Sequence, residues 1–419
     1  MPIPLHRQTL SLDHPAFAQT LATTEHLLII QNLDGVCMEL VNNPLDRRIR
    51  LEYIKATQVF DRCFYVLTNG EHIGKQGLNR IVDQAVNQAV DTEATPVFSD
   101  RYLPGLAAGG VQWQNRRGEV SHPGVSEAEL EFLRQIPSQL ESCLYNFLSK
   151  SAIPRVLETY VQDCILDNRA SPAVNINRLY PWLAEDSGLF VALQTRLRSQ
   201  MDQLLIQATN LGLGDSFFVH CAPNLGSDSS GKEIVWFAGA GESGTTDFQL
   251  ILRGAVKEAG VLMLLNKYYG DRTGSYPLGR DFNARVAPRS LEALVKLVID
   301  RFDPAFMPLM IGVGDTVTSQ IQHNDSVKRG GSDRNFLHFI QILGQVFDTG
   351  NLTVYVDSSG GELKNRTPLE LSGAGPMRHV VQGPSDPADP LVLNVAFPGG
   401  PGEYCQVFEQ AAQLRKYNL

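Results

Sequence analysis

A chain of 419 residues is too long for one small domain and suits two, or one large domain carrying an insertion. With 43% hydrophobic and 19% charged residues it can bury a sizeable core. Its formal net charge of -9 argues against a nucleic-acid partner, because affinity for a polyanion comes mainly from Lys and Arg, although one local cluster of cations with a metal can still hold a small phosphate ester.

The cysteines, Cys37, Cys63, Cys143, Cys164, Cys221 and Cys405, have no C-x-x-C spacing, so neither a zinc site nor a redox dithiol is expected. They read as reduced, mostly buried thiols. The opening stretch MPIPLHRQTLSLDH has no signal-peptide core, and no apolar run is long enough to span a bilayer. A cytoplasmic α/β protein is expected.

In chain order, the first apolar run is residues 27–30, followed by Gln31-Asn32-Leu33-Asp34-Gly35. The second is residues 64–67, followed by Thr68-Asn69-Gly70 and then Glu71 and His72. Short apolar runs with polar, glycine-containing ends predict buried strands of a parallel sheet. Residues 127–148, 153–166 and 188–211 then carry apolar side chains at helical spacing. Residues 217–220 and 233–237, separated by a polar turn at 226–231, predict a hairpin, and 248–253 a strand leading back towards the core. This middle segment reads as an inserted α/β cap. Residues 1–125 and 250–419 are assigned to a Rossmann-like core, and 126–249 to the cap. Lys257 precedes an apolar helix at 261–265, and residues 290–302 read as a crossover helix. A third strand at 309–311 runs into Gly312-Val313-Gly314-Asp315-Thr316, and a fourth covers 352–356. Residues 271–288 and 373–390 read as loops. In open α/β sheets the ligand sits beyond the carboxyl ends of the strands, where these polar groups lie.

Those groups suit phosphoryl transfer. In a strand followed by D-x-D-G, the first carboxylate attacks phosphorus and binds Mg²⁺. The second, two residues on, protonates the leaving oxygen and later activates water. The glycine lets the chain turn away. Here the segment is N-L-D-G. Thr68, Asn69 and Gly70 offer a hydroxyl and amides to phosphate oxygens. The Lys257 ammonium can neutralise phosphate charge. Asp315, facing the first motif across neighbouring strand ends, completes an oxygen-rich Mg²⁺ site. Each is an ordinary turn, cap or surface residue when taken alone.

Together the motifs resemble the haloacid dehalogenase-like phosphatase superfamily: Gln31–Gly35, Thr68, Lys257 and Gly314-Asp315, with the cap between the second and third. At finer grain the chain resembles the glucosylglycerol-phosphate phosphatase family nearly end to end. The stretches that carry this include LDGVCMELV, FYVLTNGEH, SGTTDFQL, AVKEAGVLMLLN and MPLMIGVGDTVTSQ. The resemblance implies hydrolysis of 2-O-(α-D-glucosyl)-sn-glycerol 3-phosphate to the osmoprotectant glucosylglycerol in salt-stressed cells. It implies Mg²⁺ held by position 32, the Asp34 carbonyl and Asp315, with Thr68 and Lys257 on the phosphoryl group. It also suggests the glucosylglycerol-phosphate synthase as a partner. Asp333 is carried over as an outer group of the metal site. Asn69, Gly70, Glu71, Arg253, Thr245, Thr246 and Asp247 are the candidates for contacting substrate.

The family's nucleophile is aspartate, and this chain has Asn32. An amide oxygen is a poor nucleophile and a weak, uncharged metal ligand, yet Asn is nearly isosteric with Asp. The expectation is a chain that binds substrate without cleaving it. Two origins remain open: a deliberate Asp-to-Asn change made to trap substrate, or a natural non-catalytic relative. A binding or sensing protein and a related sugar-phosphate phosphatase are the alternatives. A mutase is disfavoured, because its cap usually precedes the second motif.

Overall fold

The computed structural model describes residues 3–90, 100–150, 159–183, 187–239, 241–321, 327–363 and 365–418. At its centre is a sheet with strand order Val395–Phe397, Leu352–Val356, Leu309–Gly314, Leu27–Gln31, Phe64–Leu67, Gly105–Ala107, Gln112–Gln114 and Val120–Ser121. Neighbours from Val395–Phe397 through Gly105–Ala107 pair parallel, and the last two strands extend the sheet antiparallel. The class is the expected α/β fold with a parallel-dominated core.

The central strands are apolar without alternation because both faces are covered. Leu27 and Ile29 pack into one cluster with Phe17, Tyr53, Ile81 and Phe408, from helices His14–Thr23, Leu51–Val59, Leu78–Val90 and Gly400–Asn418. Leu28 and Ile30 pack into the other with Leu262, Leu294 and Phe336, from helices Lys257–Thr273, Leu291–Arg301 and Arg334–Phe347. Ser290 caps Leu291–Arg301 by accepting from Ala293 N, where a crossover helix is predicted.

The chain leaves the central strand Leu27–Gln31 in one direction, through Phe64–Leu67 and Gly105–Ala107. It returns on the other side at Leu309–Gly314. The order therefore reverses between Leu27–Gln31 and Leu309–Gly314. A crevice opens at such a point, beyond the strand ends. Asn32 and Asp315 follow directly after these two strands.

The second layer is a sheet ordered Ile165–Leu166, Ala173–Asn175, Asp247–Leu252 and Phe217–Ala222, antiparallel throughout. It packs on helices Glu127–Arg134, Ile136–Leu148 and Ser187–Asn210. The strand D-F-Q-L alternates. Phe248 and Leu250 are buried against the helices, each contributing about 1.5–3 kcal/mol. Asp247 and Gln249 face the other way, towards the core domain.

Local expectations change in several places, one being the loop read at 373–390, which holds the strand His379–Gln382 paired antiparallel with Glu370–Ser372. The stretch 127–148 is two helices that meet at Gln135–Ile136, because Pro137 sits in the first turn of the second. Of the helix read at 153–166, residues 153–158 lie outside the described residues; the rest is a short helix, Val161–Cys164, and a strand, Ile165–Leu166. The hairpin partner of Glu233–Val235 is Asn224–Ser227, not Phe217–Ala222, which pairs with Asp247–Leu252. That last strand belongs to the cap sheet, so the 249/250 boundary cuts through an element. No helix among the described residues is long and apolar enough to cross a membrane.

Candidate active site

Asn32 leaves the central strand buried, with its side chain between the two strand ends. Its Nδ2 lies 3.2 Å from the Asp34 carbonyl oxygen, 3.1 Å from Asp315 Oδ1 and 3.3 Å from Asp333 Oδ2. Three oxygens thus converge on one amide nitrogen, which has only two hydrogens to give. Gly35 makes the approach possible in two ways. Its φ is 75°, and a Cβ there would stand 2.1 Å from Asp315 Oδ2. Gly314 gives Asp333 room by sterics alone, since an added Cβ would stand 2.7 Å from the Asp333 Cβ.

Asp333 lies at the start of helix Arg334–Phe347 and is fully buried. Its Oδ2 accepts from Asp315 N at 2.9 Å and Thr316 N at 3.0 Å, and its Oδ1 accepts from Lys257 Nζ at 2.5 Å. Burial alone would raise this carboxyl, but Lys257 and the main-chain donors hold it below the usual carboxylate range. Asp315 is pushed up to about 6, chiefly by burial; Arg366 opposes the shift and Asp333 adds to it. Ser358 donates to Asp315 Oδ2 at 2.8 Å, and Arg366 Nε lies 3.5 Å from the same oxygen.

Thr68 follows Phe64–Leu67 and is buried; its Oγ1 accepts from Gly70 N at 3.1 Å. Lys257 is the first residue of helix Lys257–Thr273, so the positive end of that helix meets the cleft. Asp34 pairs with Arg47 at 2.9 Å. The cleft wall is completed by Asn69, Gly70, Thr316, Asn365 and Arg366 from the core and by Asn175, Asn177, Thr246, Asp247 and Gln249 from the cap.

Not every substrate-contact candidate faces this cleft with free groups. Asn69 donates to His220 Nε2 at 2.8 Å, and His220 Nδ1 bonds Glu233 at 2.9 Å, tying the second motif to the cap. Glu71 touches the cleft, but its carboxylate accepts from the N–H groups of Arg169, Ala170 and Ser171 at 3.0, 2.6 and 3.0 Å, from the Ser171 hydroxyl at 3.2 Å and from Gln112 at 2.9 Å. It fastens a cap loop to the core. His72 is fully buried, bonded to Gly105 O at 3.2 Å, and burial lowers it to about 4. Thr245 is spent inside the cap, donating to Pro223 O at 2.6 Å and accepting from Trp236 N at 2.9 Å. Arg253 is absent from the cleft wall; its guanidinium reaches Phe217 O at 3.4 Å.

Glu71→Gln should cost about 2–3 kcal/mol, since an amide NH₂ would face donors where an oxygen now accepts. Amide exchange at Ala170 and Ser171 should accelerate with it. Unchanged exchange there would mean the cap loop is held by other contacts.

Sequence reasoning missed Arg47, Asn365, Arg366, Ser358, Asn175, Asn177 and Gln249. Gln249 carried a signal: it stands two residues from Asp247 in a strand and so shares its face. Arg366 and Asn365 carried none, being single polar residues in an irregular segment.

The glucosylglycerol-phosphate phosphatase family model matches residues 26–412. A glucosylglycerol-phosphate phosphatase from Synechocystis sp. is 55% identical over 422 residues, covering 99% of both chains. The chain belongs to the glucosylglycerol-phosphate phosphatase family. Among solved structures it is similar to the C-terminal domain of Candida albicans trehalose-6-phosphate phosphatase, with a TM-score of 0.46 and 9% identity over 97% of this chain and 98% of that one. It is also similar to trehalose-6-phosphate phosphatase from Aspergillus fumigatus, with a TM-score of 0.39 and 9% identity over 97% and 99%. Family membership makes the Asn32 cluster the natural place to look for phosphate chemistry.

Proposed function

We propose that this cleft binds 2-O-(α-D-glucosyl)-sn-glycerol 3-phosphate with Mg²⁺, in the setting where the family forms an aspartyl-phosphate at position 32, and that Asn32 leaves this chain able to hold the ester without hydrolysing it. The observation that carries the reading is the convergence of Asp34 O, Asp315 Oδ1 and Asp333 Oδ2 on one point at Asn32.

Among the described residues no three His, Cys, Asp or Glu side chains gather as a metal site. The oxygens here come instead from two carboxylates and a main-chain carbonyl, with an amide beside them. These are hard donors of the kind Mg²⁺ takes, so the residues fit it. Asp34 through its carbonyl, Asp315 through its carboxylate and Asn32 with its amide turned to present Oδ1 would hold the ion. Asp333 is committed to Lys257 and to main-chain donors and stays in the outer layer. When bound, Mg²⁺ supplies positive charge against the phosphate oxygens.

The chain's own groups supply the rest. Lys257, fixed by Asp333, faces the phosphoryl group with the helix N-terminus behind it. Thr68 offers its hydroxyl to a phosphate oxygen. Asp34 would protonate the leaving glycerol oxygen, a role supported by its pairing with Arg47, which orients it. What fails is the attack on phosphorus, because an amide oxygen lacks the charge and basicity of a carboxylate. A cytoplasmic setting and transfer from the glucosylglycerol-phosphate synthase belong to the same proposal.

Calorimetry with intact ester and Mg²⁺ tests it. The Asn32 chain should bind the ester tightly and release negligible phosphate over hours. Fast release would defeat the trapping reading. Binding with no turnover, persisting after aspartate is placed at position 32, would favour a sensing protein.

A further inference from the structure

We propose that Asp247 and Gln249 form a subsite for a polyhydroxylated group, accepting hydrogen bonds from two of its hydroxyls. This deepens the reading of the cleft as a sugar-phosphate site and rests on it. The pair stands at alternate positions of strand Asp247–Leu252, on the face opposite Phe248 and Leu250. Asp247 lies opposite Asn175 on one neighbouring strand and Ala222 on the other, and both of these also line the cleft.

Gln249 Nε2 donates to Asp247 Oδ2 at 2.9 Å. That bond fixes the orientation of both side chains. It leaves Asp247 Oδ1 and Gln249 Oε1 buried with no partner in the protein. Both are acceptors, and both sit on the cleft wall. Buried acceptors need donors, from water in the free protein or from a ligand that displaces it.

The ligand class follows from this polarity. Phosphate oxygens are anionic acceptors, so they cannot satisfy either atom, and the Asp247 carboxylate would repel them. The cations that suit phosphate, Lys257, Arg47 and Arg366, belong to the core wall of the cleft. A neutral group rich in O–H donors, a glucosyl ring, fits the cap wall. A site built to accept from hydroxyls discriminates against ligands lacking them, because its own buried acceptors are then stranded.

The test uses the Asn32 chain, with four ligands titrated by calorimetry in Mg²⁺: glucosylglycerol 3-phosphate, glycerol 3-phosphate, inorganic phosphate and unphosphorylated glucosylglycerol. Gln249→Met and Asp247→Ala should each weaken glucosylglycerol 3-phosphate by about 30-fold. Glycerol 3-phosphate and phosphate should change by less than about twofold, which also verifies that the variants are folded. Equal losses for both esters would overturn the subsite, as would a parent chain that binds the glucosyl ester no more tightly than glycerol 3-phosphate. If phosphate does not bind but glucosylglycerol does, and the variants lose it, the subsite stands and the phosphatase reading falls. If no ligand binds the parent chain, both fall.

Discussion

The Asn32→Asp variant should hydrolyse glucosylglycerol 3-phosphate at least about 10⁴-fold faster than the Asn32 chain when Mg²⁺ is present, because only then does the site hold a nucleophile. Stability gives a second readout. The Asn32 amide now donates towards Asp34 O, Asp315 Oδ1 and Asp333 Oδ2 at 3.1–3.3 Å. A carboxylate in its place brings a third negative group to two buried ones and removes the donor between them. Without a cation the variant should melt below the parent chain, since like charges at this range oppose one another. Millimolar Mg²⁺ should reverse the order, by mass action on a site that only the folded chain possesses. The parent, with a neutral ligand at position 32, should respond less. Phosphate release at equal rates from both forms would show that position 32 is not the nucleophile.

Lys257→Met should have the largest effect on folding. Lys257 and Asp333 form an ion pair at 2.5 Å with side chains 3% and 0% exposed. Breaking such a pair from one side strands a buried charge and costs about 3–5 kcal/mol. Inorganic phosphate binding should weaken by at least about 30-fold at the same time, because the cleft loses a charged donor. The double variant Lys257→Met/Asp333→Asn separates the two effects. It removes the stranded charge but keeps an oxygen for the Asp315 and Thr316 N–H groups, so urea denaturation should show stability regained by about 2 kcal/mol or more. Phosphate binding should stay lost. A double variant that binds phosphate normally would make Lys257 a folding residue alone.

The link between these residues also explains a difference between reading and geometry. Asp333 entered as an outer group of a metal site. In the fold it is the residue that fixes Lys257 and tethers the Asp315–Thr316 main chain, holding the third and fourth motifs in one register. Glu71, read as a substrate contact, holds the cap loop 169–171 to the core. Both are carboxylates in the expected neighbourhood. Several of their partners are main-chain N–H groups, which every residue except proline carries, so no side-chain pattern in a sequence announces those bonds.

By itself the sequence determined the strands at 27–30, 64–67 and 352–356, the first of them one residue short of the observed Leu27–Gln31, the helix after Ser290 and the position of Asn32, Thr68, Lys257 and Asp315 at element ends. Unbroken apolar runs and glycine-bearing turns are local signals, and the chemistry of N-L-D-G is written in adjacent residues. The tertiary structure alone decided that Asn32 and Asp315 meet, since these residues, 283 positions apart in the chain, are brought together by the parallel pairing of the strands that precede them. It decided that Thr245 and Arg253 turn away from the cleft while Arg366 and Gln249 turn into it. It also placed the strand Asp247–Leu252 in the cap sheet. The reason is that a side chain's neighbours across a cleft depend on packing between distant segments, whereas a strand, a turn or a helix cap depends mostly on the few residues that form it.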